Sequence, residues 1–143
     1  MLTDGKLVNR EERTTISNKN GNLLFYEDGR VVYCKNHQII PNGSDLIRHN
    51  SITQSAIIVP KPNNPYINYI FTADQSLHAN ADDNPLNDLD SPNNGINYSQ
   101  VDMRLNNGLV DIVSTEKNVH LVNYDPTDIE KTKYKCSEKI IAA

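Results

Sequence analysis

Residues 21–74 read GNLLFYEDGRVVYCKNHQIIPNGSDLIRHNSITQSAIIVPKPNNPYINYIFTAD, a series of short apolar runs broken by Asp28-Gly29, Asn42-Gly43 and four prolines. Asp-Gly between β-rich runs is a strong hairpin signal, because the glycine accepts the positive φ that a tight turn between strands requires. The pattern therefore predicts strands over 22–26 and 30–34, paired antiparallel. Upstream, 14–17 reads as a further short strand, and Asn18-Lys19-Asn20-Gly21 supplies the turn into the next. The run Ala56-Ile57-Ile58-Val59 is too short for a typical helix and is closed by Pro60-Lys61-Pro62, so it reads as a strand buried on both faces. Asn63-Asn64-Pro65 turns the chain, and the β-branched and aromatic residues of 66–72 pair back.

Outward from this stretch the same grammar continues, with one interruption. Residues 73–94, ADQSLHANADDNPLNDLDSPNN, have little apolar content and two prolines, and read as a polar insertion between strands. From Gly95 the strands resume. Val101, Met103 and Leu105 alternate with Asp102, Arg104 and Asn106, which predicts a half-buried strand through 106. Asn106-Asn107-Gly108 then turns the chain, 119–122 is a further strand, 124–132 a polar connection, and 133–143 the start of a final strand.

Strand after strand without a helical pattern defines an all-β chain of antiparallel meanders. Residues 14–40 group as one meander and 55–122 as a four-stranded one. That cadence predicts a partial β-propeller of about two blades and the start of a third. Residues 1–13 read as a loose N-terminal segment, and 14–143 as an incomplete propeller domain carrying the insertion at 73–94. The sequence breaks off within an apolar strand at residues 138–143, which predicts an N-terminal piece of a longer propeller or a truncated gene product. A small complete sandwich is the competing architecture.

A chain of 143 residues suits one domain with a modest core. A net charge of −4 argues against a nucleic-acid binder that tracks phosphates and against a polybasic membrane anchor. No apolar run approaches a membrane-spanning length, and the N-terminus, MLTDGKLVNREER, lacks the apolar core of a signal peptide. Cys34 and Cys136 read as free thiols, with a disulfide between them left open.

Candidate chemistry is sparse. Asp82-Asp83-Asn84-Pro85-Leu86-Asn87-Asp88-Leu89-Asp90 is the densest acidic stretch, and closely spaced Asp and Asn on a loop can supply the hard oxygens Ca²⁺ prefers. Asp83, Asp88 and Asp90 are the candidate ligands, although the order of an EF-hand loop is missing and a solvated acidic loop is the plainer reading. No other cofactor is expected. Cys34 and His37 have a spacing found in zinc sites but lack a second pair. No nucleophile elbow, phosphate loop or dinucleotide fingerprint occurs, and His49 with Ser51 and Ser55 share only sequence proximity. Asn42-Gly43-Ser44 and Asn97-Tyr98-Ser99 match the glycosylation sequon. Tyr26, Tyr33, Tyr66, Tyr69 and Tyr98 offer stacking surfaces for sugars, against the alternative that they pack between sheets.

The strings GNLLFYEDG, VVYCKNHQIIPNG, TQSAIIVPKP and YIFTAD, followed by INYSQVDM at 96–103, LNNGLVD at 105–111 and SEKI at 137–140, resemble the N-terminal propeller of Bacteroidetes gliding-motility-associated surface proteins. Those are large secreted proteins whose C-terminal sorting domain is read by the type 9 secretion system, and the likeness covers residues 14–143. The matching residues are mostly turns and core, so no catalytic motif transfers with them. What the resemblance implies is a non-enzymatic propeller segment at the cell surface, acting in adhesion or in carbohydrate or protein recognition linked to gliding motility. Its partners would be a ligand at the rim formed by the loops 36–50, 73–94 and 106–118, and the remaining blades of a longer chain, with no nucleic acid and no membrane insertion. A polysaccharide-acting hydrolase and a non-functional gene fragment are the alternatives. This chain departs from the family pattern in carrying neither an export signal nor the sorting domain.

Overall fold

The computed structural model describes residues 6, 13–47, 54, 56–73, 95–121, 127, 140 and 141. Its first sheet is antiparallel, in the order β1 (Thr14–Ser17), β2 (Leu23–Glu27) and β3 (Val32–Cys34). Both connecting turns are built by the residues that announce them. Asn18 Oδ1 accepts from the backbone N–H groups of Asn20 and Asn22 at 3.0 and 2.9 Å, and Gly21 takes φ +79°. Asp28 Oδ1 accepts from the N–H groups of Arg30 and Val31 at 3.2 and 2.9 Å, while the Glu27 carboxylate accepts from Gly29 N–H. Such short acidic and amide side chains form turns by standing in for backbone acceptors. Past β3 the chain doubles back: Ile39 bridges Tyr33, and Val32 exchanges backbone bonds with Ile40 and Gly43 at 3.1 and 2.8 Å.

A second sheet runs β4 (Ala56–Pro60), β5 (Ile67–Ala73), β6 (Ile96–Asp102), again antiparallel throughout. Its last position is shared by two short strands. β7 (Asp111–Ile112) pairs with the Val101–Asp102 end of β6, and β8 (Val119–His120) pairs with the Asn97–Tyr98 end. Between them a 3₁₀ turn, Ser114–Glu116, lifts the chain away, so Ser99 bonds Asn118 N–H through its hydroxyl at 3.0 Å. The stems of the polar insertion are adjacent, because Ala73 pairs with Ile96.

Two sequence expectations for this sheet are corrected. The strand predicted through 106 ends at Asp102, where the carboxylate accepts from the N–H of Arg104 at 2.9 Å and bends the chain out of the ladder. Beyond it Met103 is half-buried, Arg104 and Leu105 are exposed and Asn106 is half-buried, so the alternation in sequence is not an alternation of faces. The Asn-Asn-Gly turn is where it was expected, with Asn106, Asn107 and Gly108 at φ +51°, +55° and +79°. β4 is not buried on both faces. Ala56 is buried, but Ile57, Ile58 and Val59 are half-buried and Pro60 exposed, as fits an edge strand. Of the final strand expected at 133–143, only Ile140 and Ile141 are described and neither lies in a strand. Ile140 N–H donates to Gln54 O at 3.2 Å.

The two sheets share one core. Phe25, Val32, Cys34, Ile40 and Leu46 come from the first half, and Ile70, Val101, Val110 and Ile112 from the second. Each such side chain contributes on the order of 1.5–3 kcal/mol by leaving water. The sheets stack with like strands together: Thr14 Oγ1 on β1 donates to Ala56 O on β4 at 3.2 Å, and residues 42–47 run along the β7–β8 edge. The molecule is all-β, formed by antiparallel sheets, and among the described residues neither sheet closes on itself.

Candidate functional site

Two features follow from this stacking: a clasp that joins the sheets at one edge, and an uncovered aromatic face on the second sheet. In the clasp, Asp111 on β7 accepts from the backbone N–H of Asn42 through Oδ1 at 2.9 Å and from the Asn42 amide through Oδ2 at 2.8 Å. The same amide donates to Ile112 O at 3.3 Å. Six residues on, Asn118 donates to Asp45 O at 2.8 Å and accepts from Ile47 N–H at 3.1 Å, while Lys117 donates to Ser44 O. Leu46, between these ties, is pressed into the core, and its N–H donates to Arg30 O at 3.1 Å. Two of the loops singled out in the sequence, 36–50 and 106–118, thus meet through their described residues.

Of the third, 73–94, only Ala73 is described. The insertion leaves the second sheet at the Ala73–Ile96 end, whereas the turn after β6 lies at the Asp102 end, opposite Ile67. The described parts of 36–50 and 106–118 run together along the outer edge, and the rest of the expected rim lies outside the described residues.

The aromatic face follows from register. Ile58 and Ile70 are partners and point to the core, so Ile57, Val59, Tyr69, Phe71, Tyr98 and Gln100 all face away from it. Tyr69 and Tyr98 meet edge to face at 5.7 Å between centroids, and Phe71 lies 6.1 and 6.3 Å from them. Over these rings opens a groove of about 350 Å³, completed by Gln100, Glu116 and Leu121. The Tyr98 hydroxyl donates to Glu116 Oε2 at 2.8 Å, and that bond, with the carboxylate charge behind it, raises the phenol above its ordinary pKa. Lys61 Nζ sits 5.7 Å above the Tyr69 ring, at the hairpin end of the face.

The other tyrosines are placed differently. Tyr26 and Tyr33 stack on the far side of the first sheet with centroids 5.1 Å apart and are only 2% and 7% exposed. The Tyr26 hydroxyl bonds His37 Nδ1 at 2.9 Å and accepts from Lys6 N–H at 3.2 Å. Tyr33 donates to Asp28 at 3.3 Å, and burial first, then the Asp28 charge, raises its pKa. Tyr66 is 51% exposed and lies beneath the Arg104 guanidinium, which Asp102 holds by a fork of bonds at 2.9 and 2.7 Å.

Asp83, Asp88 and Asp90 lie outside the described residues, as do His49, Ser51, Ser55, His78 and Cys136. Among the described residues no group of three His, Cys, Asp or Glu side chains is arranged to hold a metal. Cys34 is a buried free thiol in the core, while the His37 ring engages Tyr26 instead. Both sequons are structural: the Asn42 amide is bound to Asp111 and Asn97 is fully buried. The clasp carried no signal in the sequence, because Asn42 reads as a turn residue and Asp111 as a polar position beside a strand. Among the described residues no helix is long and apolar enough to cross a membrane.

Compared with protein-family models, with curated proteins and with solved structures, the chain returns no match.

Proposed function

We propose that this chain is a non-enzymatic recognition segment of propeller type, belonging to a bacterial cell-surface protein that adheres through carbohydrate or protein ligands. The observation that carries this reading is the stacking of two successive meanders, first strand on first and outer edge on outer edge, around one core. Neighbouring blades pack in this order, with each sheet serving as the wall against which the next is laid. In this reading the open face of the second sheet is the side on which a further blade belongs. Four of the described carboxylates are engaged in architecture: Asp28 shapes a hairpin, Asp102 holds Arg104, Asp111 holds Asn42, and Glu116 holds the Tyr98 hydroxyl. Recognition then falls to loops carried on rigid strands. The family resemblance supplies the surface location and the link to gliding.

A glycan array run beside a panel of chromogenic glycosides tests the proposal. Retention of a glycan without turnover is the expected result. Hydrolysis of any of the glycosides would replace it with an enzymatic role.

A further inference from the structure

Asn42 is followed by Gly43, the pairing that leaves an asparagine side chain most open to attack by the next backbone nitrogen, because glycine brings no side chain to shield it. In that reaction the Gly43 nitrogen bonds to Asn42 Cγ and ammonia leaves. Water then opens the cyclic imide to aspartate or to its β-linked isomer. The clasp holds both reacting groups. The Asn42 amide donates to Asp111 Oδ2 at 2.8 Å and to Ile112 O at 3.3 Å, and its backbone N–H donates to Asp111 Oδ1 at 2.9 Å. The nucleophile is tied as well: Gly43 N–H donates to Ile40 O at 2.9 Å, and Gly43 is buried against Ile40 and Val32. A second such pair, Asn107-Gly108, is exposed at both residues.

We infer that Asn42 is a deamidation site gated by its clasp to Asp111, and that its conversion makes opening of the clasp irreversible. Ring closure needs Asn42 freed from Asp111 and Gly43 freed from Ile40, so the reaction proceeds from the locally opened state. Its product does not return to the closed one. Aspartate at position 42 has no amide proton to give to Asp111 Oδ2 or Ile112 O, and it sets a second carboxylate against the first. The inference is independent of the recognition role proposed above.

Peptide mapping by mass spectrometry tests it, following Asn42 and Asn107 together in the 143-residue chain aged at neutral pH. Asp111→Ala should speed the conversion of Asn42 by about tenfold or more, the range set by losing a hydrogen bond to a charged group, and leave Asn107 unchanged. Gly21→Ala, destabilised at a turn outside the clasp, should change neither rate. If Asp111→Ala loses its β-sheet circular dichroism, Asn118→Ala takes its place, since it releases the neighbouring ties to Asp45 and Ile47 and leaves Asp111 in position. In urea melts Asn42→Asp should unfold before Asn42→Ala, which removes the same donor and adds no charge. An Asn42 rate indifferent to the folded clasp variant, or raised as much by Gly21→Ala, would overturn the gating. An Asn42→Asp midpoint equal to wild type would overturn the irreversible step.

Discussion

Asn42 and Asp111 stand 69 positions apart and meet twice, the backbone N–H of Asn42 on Oδ1 and its side-chain amide on Oδ2. One carboxylate thereby ties the loop after the first sheet to the outer strand of the second. Asp111 is itself buried, so removing it takes the acceptor from the Asn42 backbone N–H and leaves the half-buried Asn42 amide only its bond to Ile112 O. Asp111→Ala should lower stability by about 1–3 kcal/mol, seen as a reduced urea midpoint at unchanged slope. Asp111→Asn should lose less, because it retains one acceptor for the Asn42 N–H. A midpoint equal to wild type in Asp111→Ala would show that the clasp adds nothing to the packing beneath it.

The glycine beside Asn42 is set by space. A Cβ at Gly43 would press on Ile40 Cγ1 and come within 2.8 Å of Val32 O, a backbone atom that cannot yield. Gly43→Ala should therefore cost about 1–3 kcal/mol, in the range of an overpacked core. Gly21 offers the contrast: a Cβ there meets nothing within 4 Å, and only its φ of +79° opposes alanine. Gly21→Ala should cost about 1–2 kcal/mol, the strain of one left-handed residue. Thermal melts of the two variants check both, and the Gly43 variant should also shift the packing signals of Ile40 and Val32 in methyl spectra.

Asp102 ties pH to the end of β6. The hydrogen bond from the Arg104 side chain holds its carboxyl below the ordinary value of 3.8, with burial pulling the other way. A carboxylate whose folded pKa is depressed adds stability above its unfolded pKa and loses it as pH falls through the folded one. Arg104 is largely solvent-exposed, so the gain is small and weakened by salt. Asp102→Asn should consequently be less stable than wild type near about pH 6, and the difference should shrink at about pH 3, where the unfolded carboxyl is largely protonated. Paired urea melts at the two pH values measure this, and a difference that persists in acid would assign it to packing instead.

The parts of the fold legible in the sequence are those fixed by local chemistry. Asn18, Gly21, Asp28, Gly29 and the Asn106-Asn107-Gly108 run each build a turn from their own backbone or side-chain preferences, and each turn is found where its residues stand. Where position depends on distant neighbours, the pattern misleads. Met103 and Leu105 continue the apolar alternation of β6, yet the Asp102 carboxylate has already turned the chain. Ile57 and Val59 look like core, but core needs a covering sheet, and among the described residues none lies over their side. The clasp was illegible for the same reason: its partners are 69 to 73 positions apart, and nothing local in Asn42 or Asn118 names them.

The clearest expression of that distinction is a pair of neighbours. Ile70 and Phe71 adjoin on β5, so they point to opposite faces: Ile70 is wholly buried between the sheets, and Phe71 is half-buried on the open side. Composition alone would rank the phenylalanine as the larger contributor to folding. Position reverses the order, because Ile70 packs in the cluster that includes residues of both sheets, whereas Phe71 packs laterally on Tyr69 and Tyr98. Ile70→Ala should cost about 2–5 kcal/mol as a cavity opens in the shared core. Phe71→Ala should cost clearly less, since the side chain already keeps part of its surface in water. Urea unfolding of both variants makes the comparison. Equal losses would mean that the outer face is covered in solution, and the ranking by burial would have to be abandoned.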